Sequence, residues 1–373
     1  MKVLIASPYY SGVGGLQQYT YRIAVGLHNA GVDTAVVTSS LVASTSGPSV
    51  FTVPQFTTIS NTPFSLSWFG SIKKIIDEFD PDIVNGHLPV PYMADVAARV
   101  CGDRPFVLTY HNDAVGITVL TKLLVRAYYD ILGKRTIKRA NRIITTSQRY
   151  AARSPYLKGS LNKTATVPPG VDLARFNPNV YAGFMKDRYG LEGPVILFVG
   201  QLNKAHRHKG LPVLIRALSH LDADTALVVV GGGNWLSHYA ADAKQSGVTD
   251  RVVFAGVIPE EEMPLYFRGA DLTVLPTVTE AEGFGMVLAE ANACGRPAIG
   301  TNVGGIPSVI RDRYNGLLVE PGDFRGLEHA ITTILRDSEL AATLGQNGYE
   351  RIKSEFTWAQ AVTRTIGVYD GLI

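Results

Sequence analysis

Short apolar runs alternate with longer amphipathic segments along the whole chain, and they do so in two series. The first reads as strands at Val3–Ser7, Asp33–Thr38, Ile83–Asn85, Phe106–Tyr110, Arg142–Thr146 and Thr164–Val167. The second reads as strands at Val195–Gly200, Ala226–Val230, Val252–Ala255, Leu272–Leu275, Ala298–Thr301 and Gly316–Val319. Helical patterns lie between most of them. Strand, helix and strand again build a parallel sheet, and such a sheet needs cover on both faces. Two series therefore predict two Rossmann-like, doubly wound α/β domains. The segment Val167–Pro178, VPPGVDLARFNP, is rich in Pro and Gly and reads as the linker, giving expected domains of 1–178 and 179–357. With 373 residues, 46% of them hydrophobic, both domains can bury a full core.

Doubly wound domains bind ligands at the C-terminal ends of their strands. If two such crevices face each other across a cleft, the site draws residues from both halves. Loops that follow strands are therefore the places to look.

Composition removes several classes. Cys101 and Cys294 match no zinc spacing and point to a reducing compartment without a disulfide framework. The start MKVLIASPYY has too short an apolar run for a signal peptide and reads as a buried first strand. No stretch reaches the apolar length of a membrane span. A cytoplasmic protein is expected, peripheral at the inner face of a membrane if it docks on lipid. The net charge of +3 hides a split: residues 1–178 carry 18 Lys/Arg against 10 Asp/Glu, residues 179–373 carry 17 against 22. The basic excess concentrates in Lys122–Lys163, with eleven Lys/Arg and one acid, Asp130. Lys134, Arg135, Lys138, Arg139 and Arg142 fall near one face at helical spacing. That face suits an anionic membrane holding a lipid-linked acceptor, or a phosphorylated acceptor, or plain solvent.

The densest motif is Glu280–Pro307, EAEGFGMVLAEANACGRPAIGTNVGGIP. Glu282 lies in a loop, a helix is expected to begin near Met286, and Glu290 falls about one turn inside it. Helix-start N–H groups attract an anion such as phosphate. Carboxylates beside an anion site make sense if they bind hydroxyls, and a sugar joined to a phosphate carries both kinds of group. The bland reading is that both are solvated helix-start acids. Gly283, Gly285, Gly295, Gly304 and Gly305 favour backbone brought close to a ligand.

Other strand-end residues fit the same chemistry. Gly12, Gly14 and Gly15 precede a helix and let N–H groups approach a phosphate, although Gln17 and Thr38–Ser39 fail the dinucleotide fingerprint. After Val195–Gly200 comes QLNKAHRHKG, where Lys204, Arg207 and Lys209 form a cationic loop suited to a departing diphosphate. Gly231–Gly233 pass a ligand closely or form a plain turn. His111, and with less support His87, end strands of the first series and can hydrogen-bond a sugar hydroxyl or phosphate. Asp222-Ala-Asp224 spells D-x-D but precedes a strand and reads as a solvated loop. No metal cluster is apparent, and no metal or cofactor is expected.

Together these motifs resemble the retaining glycosyltransferases of family 4 (GT4), which have the GT-B fold. The likeness covers nearly the whole chain, through the Gly14-Gly15 loop, YHND around His111, PPGVDLARF, GQLNKAHRHKG, VFAGVIPEEEMPLYFRGADLTVLPT, Glu282 to Glu290, NGLLVEPGD and FTWAQAVTRTIGVYDGL. The resemblance implies metal-independent transfer of a hexose from a nucleotide-diphosphate sugar to a hydroxyl, with retained configuration by front-face displacement. It implies catalytic roles for His111 on the transferred sugar, Lys209 on the diphosphate and Glu282 on the sugar. Glu290 would hold the ribose. The N–H groups of Gly283, Phe284, Gly285, Met286, Val287 and Leu288 would serve sugar and diphosphate. Gly14 and Gly15 would approach the diphosphate from the other domain, and Val257 and Ile258 would flank the base. Where relatives carry arginine after the glycine at Gly200 this chain has Gln201, so Lys204 or Arg207, with Lys204 preferred, would supply the second cation. The helix at 358–373 would return to the first domain.

The donor is not legible: GDP-mannose is favoured, with UDP-glucose and UDP-N-acetylglucosamine beside it. The acceptor is a lipid-linked or glycan hydroxyl, or a small or phosphorylated molecule, and no nucleic-acid partner is expected. An epimerase or synthase of the same architecture and a non-catalytic nucleotide-sugar or membrane-binding module remain the alternatives.

Overall fold

The computed structural model describes residues 1–10, 14–40, 47–59, 62–114, 116 and 118–373. It divides into two compact units. One holds Met1–Gly170 together with Trp358–Ile373, and the other holds Val171–Thr357.

The first unit is built on strands β1 (Lys2–Ala6), β2 (Asp33–Thr38), β3 (Ser49–Thr52), β6 (Ile83–Leu88), β7 (Phe106–Tyr110), β8 (Arg142–Thr145) and β9 (Thr164–Thr166). All pair in parallel, in the order β3-β2-β1-β6-β7-β8-β9. A small antiparallel pair, β4 (Thr57–Ile59) and β5 (Thr62–Phe64), stands apart from this sheet. The strand β1 reads KVLIA and buries all but its first residue, as a strand covered on both faces must. One face is closed by the helix Gly15–Asn29 and by the returning helix Trp358–Asp370, whose Ala361, Val362 and Tyr369 are buried. The Tyr369 hydroxyl accepts a hydrogen bond from Asn85 Nδ2 at 2.6 Å, and Asn85 Oδ1 accepts from Thr109 at 3.0 Å. The other face is closed by the helices Trp68–Phe79, Met93–Val100 and Lys134–Arg139.

The second unit carries β10 (Val195–Val199), β11 (Ala226–Val230), β12 (Val252–Gly256), β13 (Leu272–Leu275), β14 (Ala298–Thr301) and β15 (Gly316–Val319), all parallel, in the order β12-β11-β10-β13-β14-β15. Relative to β10 this is the 3-2-1-4-5-6 order of a dinucleotide-type sheet. Its direction of winding reverses between β10 and β13, where such sheets place their ligands. The loops after β10 and β13 are those that carry Lys209 and Glu282.

Two expectations need correction. The strand β3 and the β4–β5 pair were not expected, because β3 is short and half exposed and shows no continuous apolar run. Arg142 does not share a helical face with Lys134, Arg135 and Lys138. The helix stops at Ala140, because Asn141 bonds both backbone groups of Phe106 (N–H to O at 2.8 Å, Oδ1 from N at 2.9 Å) and starts β8. Arg139 is also withdrawn from that face: its Nη2 donates to the carbonyls of Gly102 and Arg104, each at 2.8 Å.

Candidate active site

In the second unit the loop after β13 runs through Glu280–Gly285 into the helix Met286–Ala293. Gly285 opens that helix at φ 94°, a left-handed conformation a side chain would strain. Glycines 304 and 305 brace the loop. The Gly305 N–H donates to Glu282 O at 2.8 Å, and Gly304 N–H donates to Glu280 Oε2 at 2.6 Å. A Cβ on Gly305 would stand 2.0 Å from Gly283 O, and one on Gly304 would stand 2.3 Å from Glu282 O. At Gly304 and Gly305 glycine is therefore required by backbone packed on backbone, which holds Glu282. Gly231 and Gly233 behave alike, lying against the carbonyls of Gly200 and Leu202.

That bracing presents Glu282 to Lys209. Lys209 ends the 3-10 turn Lys204–Lys209, and its Nζ lies 3.1 Å from Glu282 Oε2, both side chains less than one-fifth exposed. Burial alone would raise the Glu282 carboxyl. The charge and hydrogen bond of Lys209, helped by His208 and His206, outweigh it and hold the group below the usual glutamate range. Lys209 reaches across Gly200, where a Cβ would sit 2.9 Å from its Cδ. The histidines of the loop are themselves shifted toward the neutral form. Burial, then Lys209, pushes His206 down to about 4, and burial lowers His208. Gln201, Lys204 and Arg207 are exposed at the surface of this loop. Gln201 Oε1 accepts from Asn203 Nδ2 at 3.1 Å.

Glu290 stands one turn into the helix, half-buried. Burial pushes its carboxyl up to about 8, against the opposing pull of Arg175, and Glu260 adds to the rise. Arg175 is held by Glu260 at 2.7 Å. Sequence reasoning passed over this neighbouring pair, because its members lie 85 positions apart. Of the helix-start amides, Leu288 N–H already donates to Gly285 O at 3.0 Å, and the Leu288 side chain is in the core. That amide is thus already paired at the helix start. Phe284 is also buried, edge-on to Phe356 at 5.5 Å, so Phe284 offers only backbone. Met286 and Val287 are half-buried. Val257 follows Gly256 (φ 73°) and is 80% exposed, whereas Ile258 packs on the core.

In the first unit His111 follows β7 and His87 sits near the end of β6. His111 Nε2 lies 3.3 Å from His87 Nδ1, which also meets Thr20 Oγ1 at 3.2 Å. The Thr20 hydroxyl donates to Leu16 O at 2.9 Å, so it accepts from His87, and the proton of His87 sits on Nδ1. His87 Nε2 is buried and has no partner among the described residues. A bare lone pair there costs less than an orphaned N–H, which favours the same tautomer. Burial pushes His111 down to about 3, so it is a neutral hydrogen-bonding group. Tyr19 lies edge-on to His111 at 4.7 Å. The loop beyond is pinned by tyrosines: Tyr110 OH and Ser154 Oγ donate to Asp113 Oδ1, and Asp113 N–H donates to Tyr150 OH. Gly14 (φ 142°) and Gly15 open the first long helix, and Gly12 lies outside the described residues. Asp222 pairs with exposed Arg336.

Residues 13–175 match the family described as Glycosyltransferase Family 4, and residues 186–351 match Glycosyl transferases group 1. The chain is 28% identical to the O-antigen chain mannosyltransferase C of Escherichia coli, covering 100% of this chain and 99% of that protein. It is 31% identical to the GDP-mannose-dependent alpha-(1-6)-phosphatidylinositol monomannoside mannosyltransferase of Mycolicibacterium smegmatis, over 80% of this chain and 79% of the relative. Among solved structures, the sucrose-phosphate synthase of Thermosynechococcus elongatus superposes with a TM-score of 0.80 at 24% identity, covering 100% of this chain and 98% of that one. Two parallel-sheet units and that likeness show the GT-B fold. By its matches across both units and its likeness to these enzymes, the chain belongs to glycosyltransferase family 4.

Proposed function

We propose that this hexosyltransferase moves mannose from GDP-mannose to a lipid-linked or glycan hydroxyl, with retained configuration and without a metal. The observation that carries the proposal is the Lys209–Glu282 contact beside the start of the Met286–Ala293 helix, with Glu290 one turn inside. Glu290, whose raised carboxyl has no ion-pair partner within 4 Å among the described residues, is suited to take the two hydroxyls of a ribose. Lys209 supplies fixed positive charge where a diphosphate departs, and the amides of Met286 and Val287 add the positive end of the helix. Glu282, kept ionised, accepts from hydroxyls of the transferred sugar. Held by Lys209, it is a positioning group rather than an attacking one, which favours front-face displacement with the leaving phosphate taking the acceptor proton. His111 offers a neutral hydrogen bond to the same sugar. Gly14 and Gly15 serve the diphosphate, Val257 and Ile258 the base, and Lys204 stands for the cation that Gln201 does not provide.

GDP-mannose is preferred because both curated relatives named above are mannosyltransferases, one of them GDP-mannose-dependent by name. The acceptor is placed at the inner face of an anionic membrane, reached through the basic segment Lys122–Lys163. Among the described residues no helix is long and apolar enough to cross a membrane.

Thermal unfolding with GDP, UDP, ADP and their sugars tests the donor. A selective ligand at a hundred times its Kd stabilises the fold by about 2.7 kcal/mol. Stabilisation by GDP and GDP-mannose alone is expected. Selectivity for UDP ligands overturns the donor, and no response to any nucleotide overturns the whole reading.

A further inference from the structure

The helix Val119–Tyr128 has an unusual outer face. Its start is well formed, since Thr118 Oγ1 accepts from Thr121 N–H at 3.2 Å. One side is anchored: Val125 and Tyr128 pack on the core, and Tyr128 OH donates to the buried Asp95 Oδ2 at 3.0 Å. A helix packed in this way should turn polar residues to water. Instead Val119 (78%), Leu120 (66%), Leu123 (59%) and Leu124 (53%) are exposed, followed by Ile131 (57%) in the next turn segment, Tyr129–Gly133. Leu120 and Leu124 stand one turn apart on one line with Val119 and Leu123 beside it, and exposed Ile131 follows in the π-helical turn Tyr129–Gly133. Scattered apolar residues at a surface are ordinary, but five on the outer side of one helical stretch form a contiguous patch that marks an interaction surface.

Charge decides what covers the patch. Lys122 and Arg126 flank it, and Lys134, Arg135 and Lys138 extend it, all exposed. The one acid in the stretch, Asp130, is bound to Lys134 at 2.5 Å and approaches Arg126 at 3.9 Å. Protein interfaces are depleted in lysine, whereas an apolar stripe ringed by cations matches acyl chains beneath anionic headgroups. We infer that Val119–Gly133 is an in-plane membrane anchor that inserts Leu120, Leu124 and Ile131 into the acyl boundary of an anionic lipid surface. This inference rests on the membrane-acceptor reading and deepens it: contact is by apolar insertion, with the basic residues selecting the lipid charge.

The test is sedimentation of the full chain with phosphatidylcholine vesicles, with and without phosphatidylglycerol. Wild type is expected to bind the anionic vesicles and to retain part of that binding in high salt. The L120N/L124N variant should lose at least about tenfold in partitioning, whereas K134Q/K138Q should lose mainly the preference for phosphatidylglycerol. Emission from L120W should shift to the blue on vesicles and be quenched by brominated acyl chains. Unchanged binding by L120N/L124N, complete release of wild type by salt, or no L120W shift overturns insertion. A wild-type dimer in solution that L120N/L124N dissociates assigns the face to a second copy and also overturns it. The nucleotide-induced thermal shift, measured without vesicles, should persist in every variant. Its absence in wild type counts against the transferase proposal, while the vesicle result still decides the anchor.

Discussion

Replacing Glu290 with glutamine removes a carboxyl that burial holds at about 8, against an ordinary 4.5. Between those values the folded chain keeps a proton that the unfolded chain has lost. The stability tied to that proton is full below about pH 4.5 and is lost as pH rises through 8. At 1.36 kcal/mol per pH unit the span amounts to about 5 kcal/mol, a ceiling because the half-buried side chain keeps some contact with water. The amide of E290Q carries no such proton, so the variant should match wild type at acid pH and exceed it in stability at alkaline pH. Binding runs the other way. Two ribose hydroxyls donate to a carboxylate, so GDP must displace the proton, and wild-type affinity should rise about tenfold per pH unit until pH 8. A hydrogen bond to a charged acceptor contributes about 1.5–3 kcal/mol, so E290Q should lose about 10- to 100-fold in affinity at pH 8 and show no slope. Calorimetric titration of GDP across this pH range, in buffers of different ionisation enthalpy, reads both the affinity and the proton released. Urea unfolding at the same pH values reads the stability. The same pH slope of binding in both proteins, or a stability difference that does not change with pH, refutes the reasoning.

Four further outcomes follow from the site geometry. Lys209→Met should lower kcat by about 10²- to 10³-fold. A double-mutant cycle with Glu282→Gln should be strongly non-additive, because the two side chains touch; additive losses in kcat would separate their roles. Gly305→Ala puts a Cβ 2.0 Å from Gly283 O, and should lower stability by about 1–3 kcal/mol and displace Glu282; unaltered thermal unfolding and turnover would show that the loop gives freely. His111 is held to about 3 by burial, so its ring should stay neutral down to pH 5 in NMR titration, and a midpoint above 6 would contradict its packing.

Much of the architecture was legible because buried parallel strands leave continuous apolar runs. Asp33–Thr38, Phe106–Tyr110, Ala226–Val230, Leu272–Leu275, Ala298–Thr301 and Gly316–Val319 stand where the apolar pattern puts them. The start of the Met286–Ala293 helix was legible from the glycine ahead of it. Edge strand β3 was not, because half-exposed strands lack that pattern. The need for glycine at positions 304 and 305 was also hidden, since Gly305 meets Gly283 through a fold that sequence spacing does not reveal. Likewise, helical spacing grouped Arg142 with Lys138, but a pair of hydrogen bonds between Asn141 and Phe106 decided otherwise. The outer face of Val119–Tyr128 was read through its charges, and its exposed leucines became visible only once the packed side was known.

The path of the chain has a consequence for truncation. The second unit, Val171–Thr357, is continuous, whereas the first needs Trp358–Asp370 to cover Val3, Ile5 and Ile23 and to place Tyr369 on Asn85. Packing there is close, for a Cβ on Gly26 would stand 2.3 Å from Val362. The second unit can therefore complete its core without residues 358–373, whereas the first, lacking them, exposes an apolar face. A released chain ending at Thr357 should keep a protease-resistant second unit, while its first unit, without the covering helix, is digested.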